Sequence, residues 1–151
     1  MPSVFTKLNL KAQSEIVVIN APPSFEPELA VLPGVTVLRE AKSAKKIAFA
    51  LAFVTQLTEV NTLTKAITKK ADDDALIWFA YPKGTSKKYT CEFNRDTGWA
   101  ALGEAGYEPV RMIAIDEDWS ALRFRRAEHI KTMTRSFAMT KVGKEKVGKR
   151  L

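Results

Sequence analysis

The sequence has one cysteine, Cys91, and one histidine, and it has no long apolar run. A single cysteine excludes an intrachain disulfide framework, and a single histidine beside it excludes the Cys/His clusters of structural zinc sites. No apolar stretch approaches the length of about 18 residues that a membrane span needs, and the first residues lack the apolar core of a signal peptide. We therefore expect a cytoplasmic protein that contacts no membrane.

Glycine is missing where a phosphate-binding loop would need it. The first predicted strand, Glu15–Asn20, runs into Ala21-Pro22-Pro23, whereas dinucleotide and P-loop motifs place glycines directly after such a strand. Proline also removes backbone N–H donors that would bind phosphate. Nucleotide binding at this position is disfavoured, and the sequence predicts no cofactor.

The chain is long enough for one domain, and its positive charge is concentrated at one end. It has 151 residues, of which 46% are hydrophobic, so it can bury a core without a disulfide or metal. Residues 1–120 contain 14 Lys and Arg against 15 Asp and Glu, while residues 121–151 contain 10 against 2. We interpret residues 1–140 as the domain and 141–151 as a flexible basic tail. Weak nucleic-acid contacts are a hypothesis for five cations of this tail: Lys141, Lys144, Lys146, Lys149 and Arg150.

Strand patterns alternate with helix patterns along the domain. Such alternation predicts a single Rossmann-like three-layer α/β domain with a mostly parallel sheet, and the last two strands are predicted to form an antiparallel pair. Strands are predicted at 15–20, 35–39, 46–54, 75–81, 109–115 and 120–125, and helices at 24–32, 57–71, 94–106 and 126–140.

Polar residues follow several of the predicted strands, at the edge where α/β sheets bind ligands. The segment Pro82–Lys88 (PKGTSKK) combines three lysines with two hydroxyls, so it is either an anion-binding loop or a solvated connection. Asp116 to Asp118 form an acidic turn that has too few ligands to predict a metal site. Arg123 and Arg125 lie on one face of a strand, where they either pair with Asp116 and Asp118 or bind a ligand. Trp78 and Trp99 are predicted core residues.

Four segments resemble a family of small bacterial proteins that share a domain of unknown function. They lie within about residues 7–126, and YPKGTSK together with DEDWSALRFR is the most specific combination. The resemblance implies an α/β domain without an established activity. It also implies recurring positions, namely Asn20, Pro22, Tyr81, Pro82, Lys83, Ser86, Arg95, Asp96, Asp116, Trp119, Ser120, Arg123 and Arg125.

The predicted topology is also distantly similar to the methyltransferase-type Rossmann fold, whose last two strands form an antiparallel hairpin. The glycine-rich S-adenosylmethionine loop of that fold is replaced here by Asn20-Ala21-Pro22-Pro23, and only Glu40 offers an acidic residue after the second strand. We therefore predict a non-enzymatic domain that binds a small anionic ligand or a partner. The alternatives are a divergent methyltransferase-like enzyme on a small anionic substrate and a weak nucleic-acid binder through the tail. The candidate ligand-binding residues are Asn20, Tyr81, Lys83, Ser86, Asp116, Trp119 and Arg123.

Overall fold

The protein folds around a six-stranded β-sheet that carries helices on both faces. A computed structural model describes residues 4–11, 13–32, 34–91 and 98–129. The strands are β1 (Glu15–Ile19), β2 (Thr36–Leu38), β3 (Ile47–Phe53), β4 (Ala71–Pro82), β5 (Tyr107–Ala114) and β6 (Trp119–Arg126). The α-helices are α1 (Val4–Lys7), α2 (Glu26–Ala30), α3 (Leu57–Thr68) and α4 (Ala100–Glu104), and short 3₁₀ helices cover Pro23–Phe25, Ala41–Ser43 and Ala127–His129.

The strand order is β2-β1-β3-β4-β6-β5. Strands β1 to β4 are mutually parallel, whereas β6 runs antiparallel to both of its neighbours. The predicted fold class is therefore confirmed, including the antiparallel pair at the end. The chain first moves from β1 to β2 and then returns to place β3 on the other side of β1. The carboxyl ends of β1 and β3 thus form the switch point where sheets of this kind bind ligands.

Alternation along the central strands builds the two layers of the core. Phe49, Leu51 and Phe53 of β3 face α1 and α2, while the alanines between them face α3. Because β3 is covered on both sides, its sequence is apolar at every position. Trp78 is completely buried on β4, and its indole Nε1 donates a 2.9 Å hydrogen bond to the carbonyl of Leu8 beside α1. Trp99 is buried as well, so both tryptophans are core residues as predicted.

Several predicted boundaries are wrong. The helix predicted over 57–71 ends at Thr68, because β4 begins at Ala71 and runs through Asp72 and Asp74. The charges of these two aspartates are met by ion pairs with Lys46 and Arg125, respectively. Helix α1 has no counterpart in the sequence prediction, and the helix predicted over 24–32 is a 3₁₀ turn at Pro23–Phe25 followed by the short α2.

The predicted last helix falls mostly outside the described residues. Arg126 ends β6 instead of beginning that helix, and Ala127–His129 form a 3₁₀ turn. Residues 130–140 and the predicted tail at 141–151 lie outside the described part of the chain, as do its candidate nucleic-acid contacts. Within the described ranges, no helix is long and apolar enough to cross a membrane.

Candidate functional site

The carboxyl edge of the sheet brings together the ends of β1, β3 and β4 and the beginning of β6. Backbone hydrogen bonds fix this edge, with Val54 N donating to Ala80 O at 2.8 Å and Lys83 N donating to Asp118 O at 2.8 Å. Because β6 is antiparallel to β4, the turn that precedes Trp119 lies beside the loop that follows Pro82. The sequence prediction that these segments share one edge therefore agrees with the geometry.

Asn20 lies at the switch point and is tied to the start of α3. Its backbone is left-handed, with φ of 59°, and its amide nitrogen lies 3.4 Å from both the Phe53 carbonyl and Glu59 Oε2. Glu59 Oε1 also accepts hydrogen bonds from Thr55 N, Thr55 Oγ1 and Gln56 N at 2.9, 3.2 and 3.1 Å. The last of these belongs to a capping box between Gln56 and Glu59. The polar groups at this point thus satisfy one another.

Aromatic side chains fill the space beside this network. Phe25 packs against Phe53 with 5.0 Å between ring centroids, and Phe53 meets Trp119 edge to face at 5.1 Å. The ring of Tyr89 also packs against Trp119, with 4.9 Å between ring centroids. Trp119 is 3% exposed, and its indole Nε1 is buried without a hydrogen-bond partner. The predicted ligand residue Trp119 is therefore mainly part of the core.

The loop after β4 is organised around Ser86. Its hydroxyl donates to Asp118 Oδ1 at 2.8 Å and accepts from the backbone N–H groups of Lys88 and Tyr89 at 3.2 and 3.1 Å. Asp116 Oδ1 accepts from the backbone N–H groups of Asp118 and Trp119 at 2.8 and 2.9 Å, so this carboxylate shapes its own turn. Across the described ranges, no three His, Cys, Asp or Glu side chains are grouped so as to hold a metal.

A surface depression of about 530 Å³ lies between this loop and the acidic turn. Its walls are formed by Thr85, Lys87, Lys88, Glu117 and Asp118. The predicted residues Ser86 and Asp116 are not among the lining residues, but each forms a hydrogen bond with Asp118, which is one of them. Lys83 contributes its backbone to the same turn, and its side chain is half-buried.

Besides Asn20 at the switch point and Trp119 in the core, two more of the predicted ligand residues lie away from this depression. Tyr81 faces the α3 side of the sheet, where its hydroxyl lies 3.3 Å from Met112 Sδ and its ring meets Trp99. Arg123 lies four residues along β6 from Trp119, which corresponds to about 13 Å of extended strand. Of the two alternatives for Arg123 and Arg125, ion pairs with Asp116 and Asp118 are not found among the described residues. Arg125 binds Asp74 instead, because β4 extends further toward its amino end than predicted.

A bidentate ion pair that was not predicted joins the first turn of α2 to the residue that follows β2. Nη1 and Nη2 of Arg39 donate to Oε2 and Oε1 of Glu26, respectively, each at 2.8 Å. Hydrogen bonding to Arg39 lowers the pKa of Glu26, and the same bond raises the pKa of Arg39. No sequence motif marks this pair. The capping box of α3 was not predicted either, because its N-cap, Gln56, is not one of the residue types that signal a helix start.

No protein-family model matches this chain, and no curated protein matches it in sequence. The solved structures that resemble its fold include the following two. One is a SAM-dependent methyltransferase from Aquifex aeolicus, with a TM-score of 0.58 and 10% identity over 82% of this chain and 87% of that one. The other is LepI in complex with SAM, with a TM-score of 0.50 and 12% identity over 81% of this chain and 38% of that one.

The fold is that of a methyltransferase-type Rossmann domain. At these identities the likeness extends to the fold alone, and the resemblance to the bacterial family stays a prediction. The residues that follow β1 and β2 do not fit S-adenosylmethionine. After β1, Pro22 and Pro23 offer no N–H donors. After β2, Arg39 is paired with Glu26, and Glu40 forms a 3.5 Å ion pair with Lys42.

Proposed function

We propose that this chain is a non-enzymatic binding domain of methyltransferase-type fold whose ligand is a small anion held at the loop after β4. The observation that carries this proposal is the depression formed by Thr85, Lys87, Lys88, Glu117 and Asp118. It lies on the ligand-binding edge of the fold but outside the switch point. The polar groups of the switch point itself are engaged in the network of Asn20, Thr55 and Glu59.

The lining of the depression suggests the chemical class of the ligand. Lys87 and Lys88 provide positive charge for a phosphate or carboxylate, and Thr85 provides a hydroxyl donor. Glu117 is exposed at the same depression and favours a ligand that also carries a hydroxyl or amino donor. A small phosphorylated or carboxylated molecule with a free donor group meets both requirements.

Hydrogen bonds that hold the residues of the depression in place favour a preorganised site over a solvated loop. Ser86 joins the lysine loop to Asp118, and Asp116 holds the turn that presents Asp118 and Trp119. Residues whose positions are fixed by such supporting hydrogen bonds bind with a smaller entropic cost. The proposal therefore assigns Ser86 and Asp116 a positioning role and leaves ligand contact to the lysines.

Calorimetric titration of small anions, nucleotides and S-adenosylmethionine into the full chain tests this function. We expect a small anion to bind the wild type, and we expect the Lys87→Ala/Lys88→Ala variant to bind it at least about tenfold more weakly. Lys11→Ala/Lys45→Ala removes the same charge from exposed lysines elsewhere and should leave affinity unchanged. If both double variants bind the anion equally weakly, the loss of affinity comes from the net charge of the chain and not from a site at Lys87 and Lys88.

Binding of S-adenosylmethionine would support the competing function, a divergent methyltransferase on a small anionic substrate. We expect no such binding, because Pro22 and Pro23 after β1 provide no backbone N–H donors for this cofactor at any ligand concentration. Methyl transfer to any anion in the panel would overturn the non-enzymatic assignment.

A further inference from the structure

Three arginines lie together on the α1 side of the sheet, away from the depression at the carboxyl edge. Arg111 of β5 and Arg123 of β6 are direct cross-strand partners, so their side chains project from the same face about 5 Å apart at Cβ. Arg125 follows Arg123 at a spacing of two along β6 and therefore lies on that face as well. We call these three residues the arginine cluster.

Only one member of the arginine cluster is neutralised by a direct partner. Arg125 donates from Nε and Nη2 to the two carboxylate oxygens of Asp74, at 2.8 and 2.7 Å. Glu108, the cross-strand partner of Arg125, is fully buried and already has an interaction of its own. In the described structure, the side chains of Arg111 and Arg123 have neither a hydrogen bond nor an ion pair.

The surroundings of the Arg123 guanidinium disfavour its positive charge. Its side chain is half-buried, and its Nε is buried with no hydrogen-bond acceptor among the described residues. Burial lowers the pKa of Arg123 most, and the charge of Arg125 lowers it further. Asp74 opposes this shift, and Arg111 adds the smallest of the lowering effects. Like charges directly across a strand pair normally destabilise a sheet. An uncompensated guanidinium here has a structural cost that a bound anion would offset.

We propose that the arginine cluster binds a small phosphate-class oxyanion. Two guanidinium groups on neighbouring strands can share the oxygens of one tetrahedral anion, and the planar fork of arginine matches that geometry better than lysine does. Asp74 holds Arg125 in place and leaves Arg111 and Arg123 as the ligand-contacting pair. This site is separate from the depression after β4, so either proposal can fail without the other.

Titration of inorganic phosphate into the full chain at constant ionic strength, with chloride as the matched anion, tests the cluster. Nitrogen-15 NMR follows the Nε–H signals of the arginine side chains, and calorimetry gives the affinity. We expect the Arg123 signal to shift with phosphate and not with chloride. Arg123→Met should weaken phosphate binding about tenfold or more, because a charge-assisted contact is lost. Glycerol phosphate in a second titration distinguishes a phosphomonoester ligand from free phosphate.

Matched variants separate the arginine cluster from the lysine loop. Lys87→Ala/Lys88→Ala should leave the Arg123 shift intact, and the exposed Arg111→Gln should weaken phosphate binding even if Arg123→Met fails to fold. The proposal is overturned if phosphate binds no better than chloride, or if Arg111→Gln binds phosphate as well as the wild type. It is equally overturned if only duplex DNA moves the arginine signals, which would make the cluster a nucleic-acid surface.

Discussion

Arg39 and Glu26 form a bidentate ion pair that ties the end of β2 to the first turn of α2. The pair therefore lies at the β1–β2 end of the sheet, between the segments that follow these two strands. In a methyltransferase-type fold the carboxyl edge of the sheet is where a cofactor would enter, so the ion pair and the two prolines after β1 act on the same space.

The Arg39–Glu26 pair makes stability depend on pH in the acidic range. The pKa of Glu26 is lowered in the folded chain, so the unfolded chain binds more protons there and the contribution is present at neutral pH. It is lost as the pH falls below about 4.3 and through the lowered value. Urea denaturation should show a stability difference between wild type and Arg39→Met at pH 7 that becomes smaller at pH 3.

Both side chains of this pair are about half exposed, at 50% and 46%, so the difference should also shrink in high salt. Lys42→Ala, which removes the more exposed 3.5 Å pair with Glu40, is the matched control and should change stability less. A difference between Arg39→Met and wild type that is the same at pH 7 and pH 3 would contradict the linkage to Glu26.

The left-handed backbone at Asn20 predicts an unusual order of stability for two small substitutions. Asn20→Gly loses the amide contacts with Phe53 O and Glu59 but keeps the φ of 59° at no steric cost. Asn20→Ala loses the same contacts and adds a Cβ in the left-handed region, so it should be less stable than Asn20→Gly by about 1 kcal/mol. Urea denaturation of both variants measures this difference, and equal stability would argue against a left-handed Asn20 in solution.

Ser86 is expected to control the order of the loop after β4. Ser86→Ala removes one donor and one acceptor from the network of Asp118, Lys88 and Tyr89, and it should cost about 1 kcal/mol. Amide hydrogen exchange should become faster at Lys88 and Tyr89 and stay unchanged in β4. Ser24→Ala changes an exposed serine outside this network and should leave both amides as they are. Unchanged exchange at Lys88 and Tyr89 would exclude Ser86 as the centre of the loop.

The fold could be predicted from the sequence because its strands are buried and distinctive. The apolar run in β3 and the alternation in β6 identify the sheet, and strand–helix alternation identifies the class. The predicted β4 is too short because Asp72 and Asp74 are polar. In the folded chain their charges are compensated by residues distant in sequence, since Asp72 pairs with Lys46 and Asp74 pairs with Arg125. Partners that are far apart in sequence also explain why the Arg39–Glu26 pair and the Ser86–Asp118 bond were not foreseen.

The candidate site was predicted only in part for the same reason. Residues at strand ends could be assigned to one edge, but the direction of each side chain depends on register. Tyr81 faces the α3 side, and Arg123 lies well below the edge, because pairing with β5 and β4 fixes where each residue of β6 falls. A period of two predicts which residues share a face, and it does not predict how far along the strand a ligand would lie.

Trp78 should be the side chain whose loss most clearly tests the central sheet and its connection to α1. Trp78→Ala should cost about 3–5 kcal/mol through cavity formation, since the residue is fully buried on β4. Trp78→Phe keeps a ring in place but leaves the Leu8 carbonyl without its 2.9 Å partner, which should cost about 1–3 kcal/mol. Urea denaturation gives both values, and hydrogen exchange in α1 should rise in Trp78→Phe because its tie to the sheet is lost. A loss below about 1 kcal/mol for Trp78→Ala would place this residue outside the core.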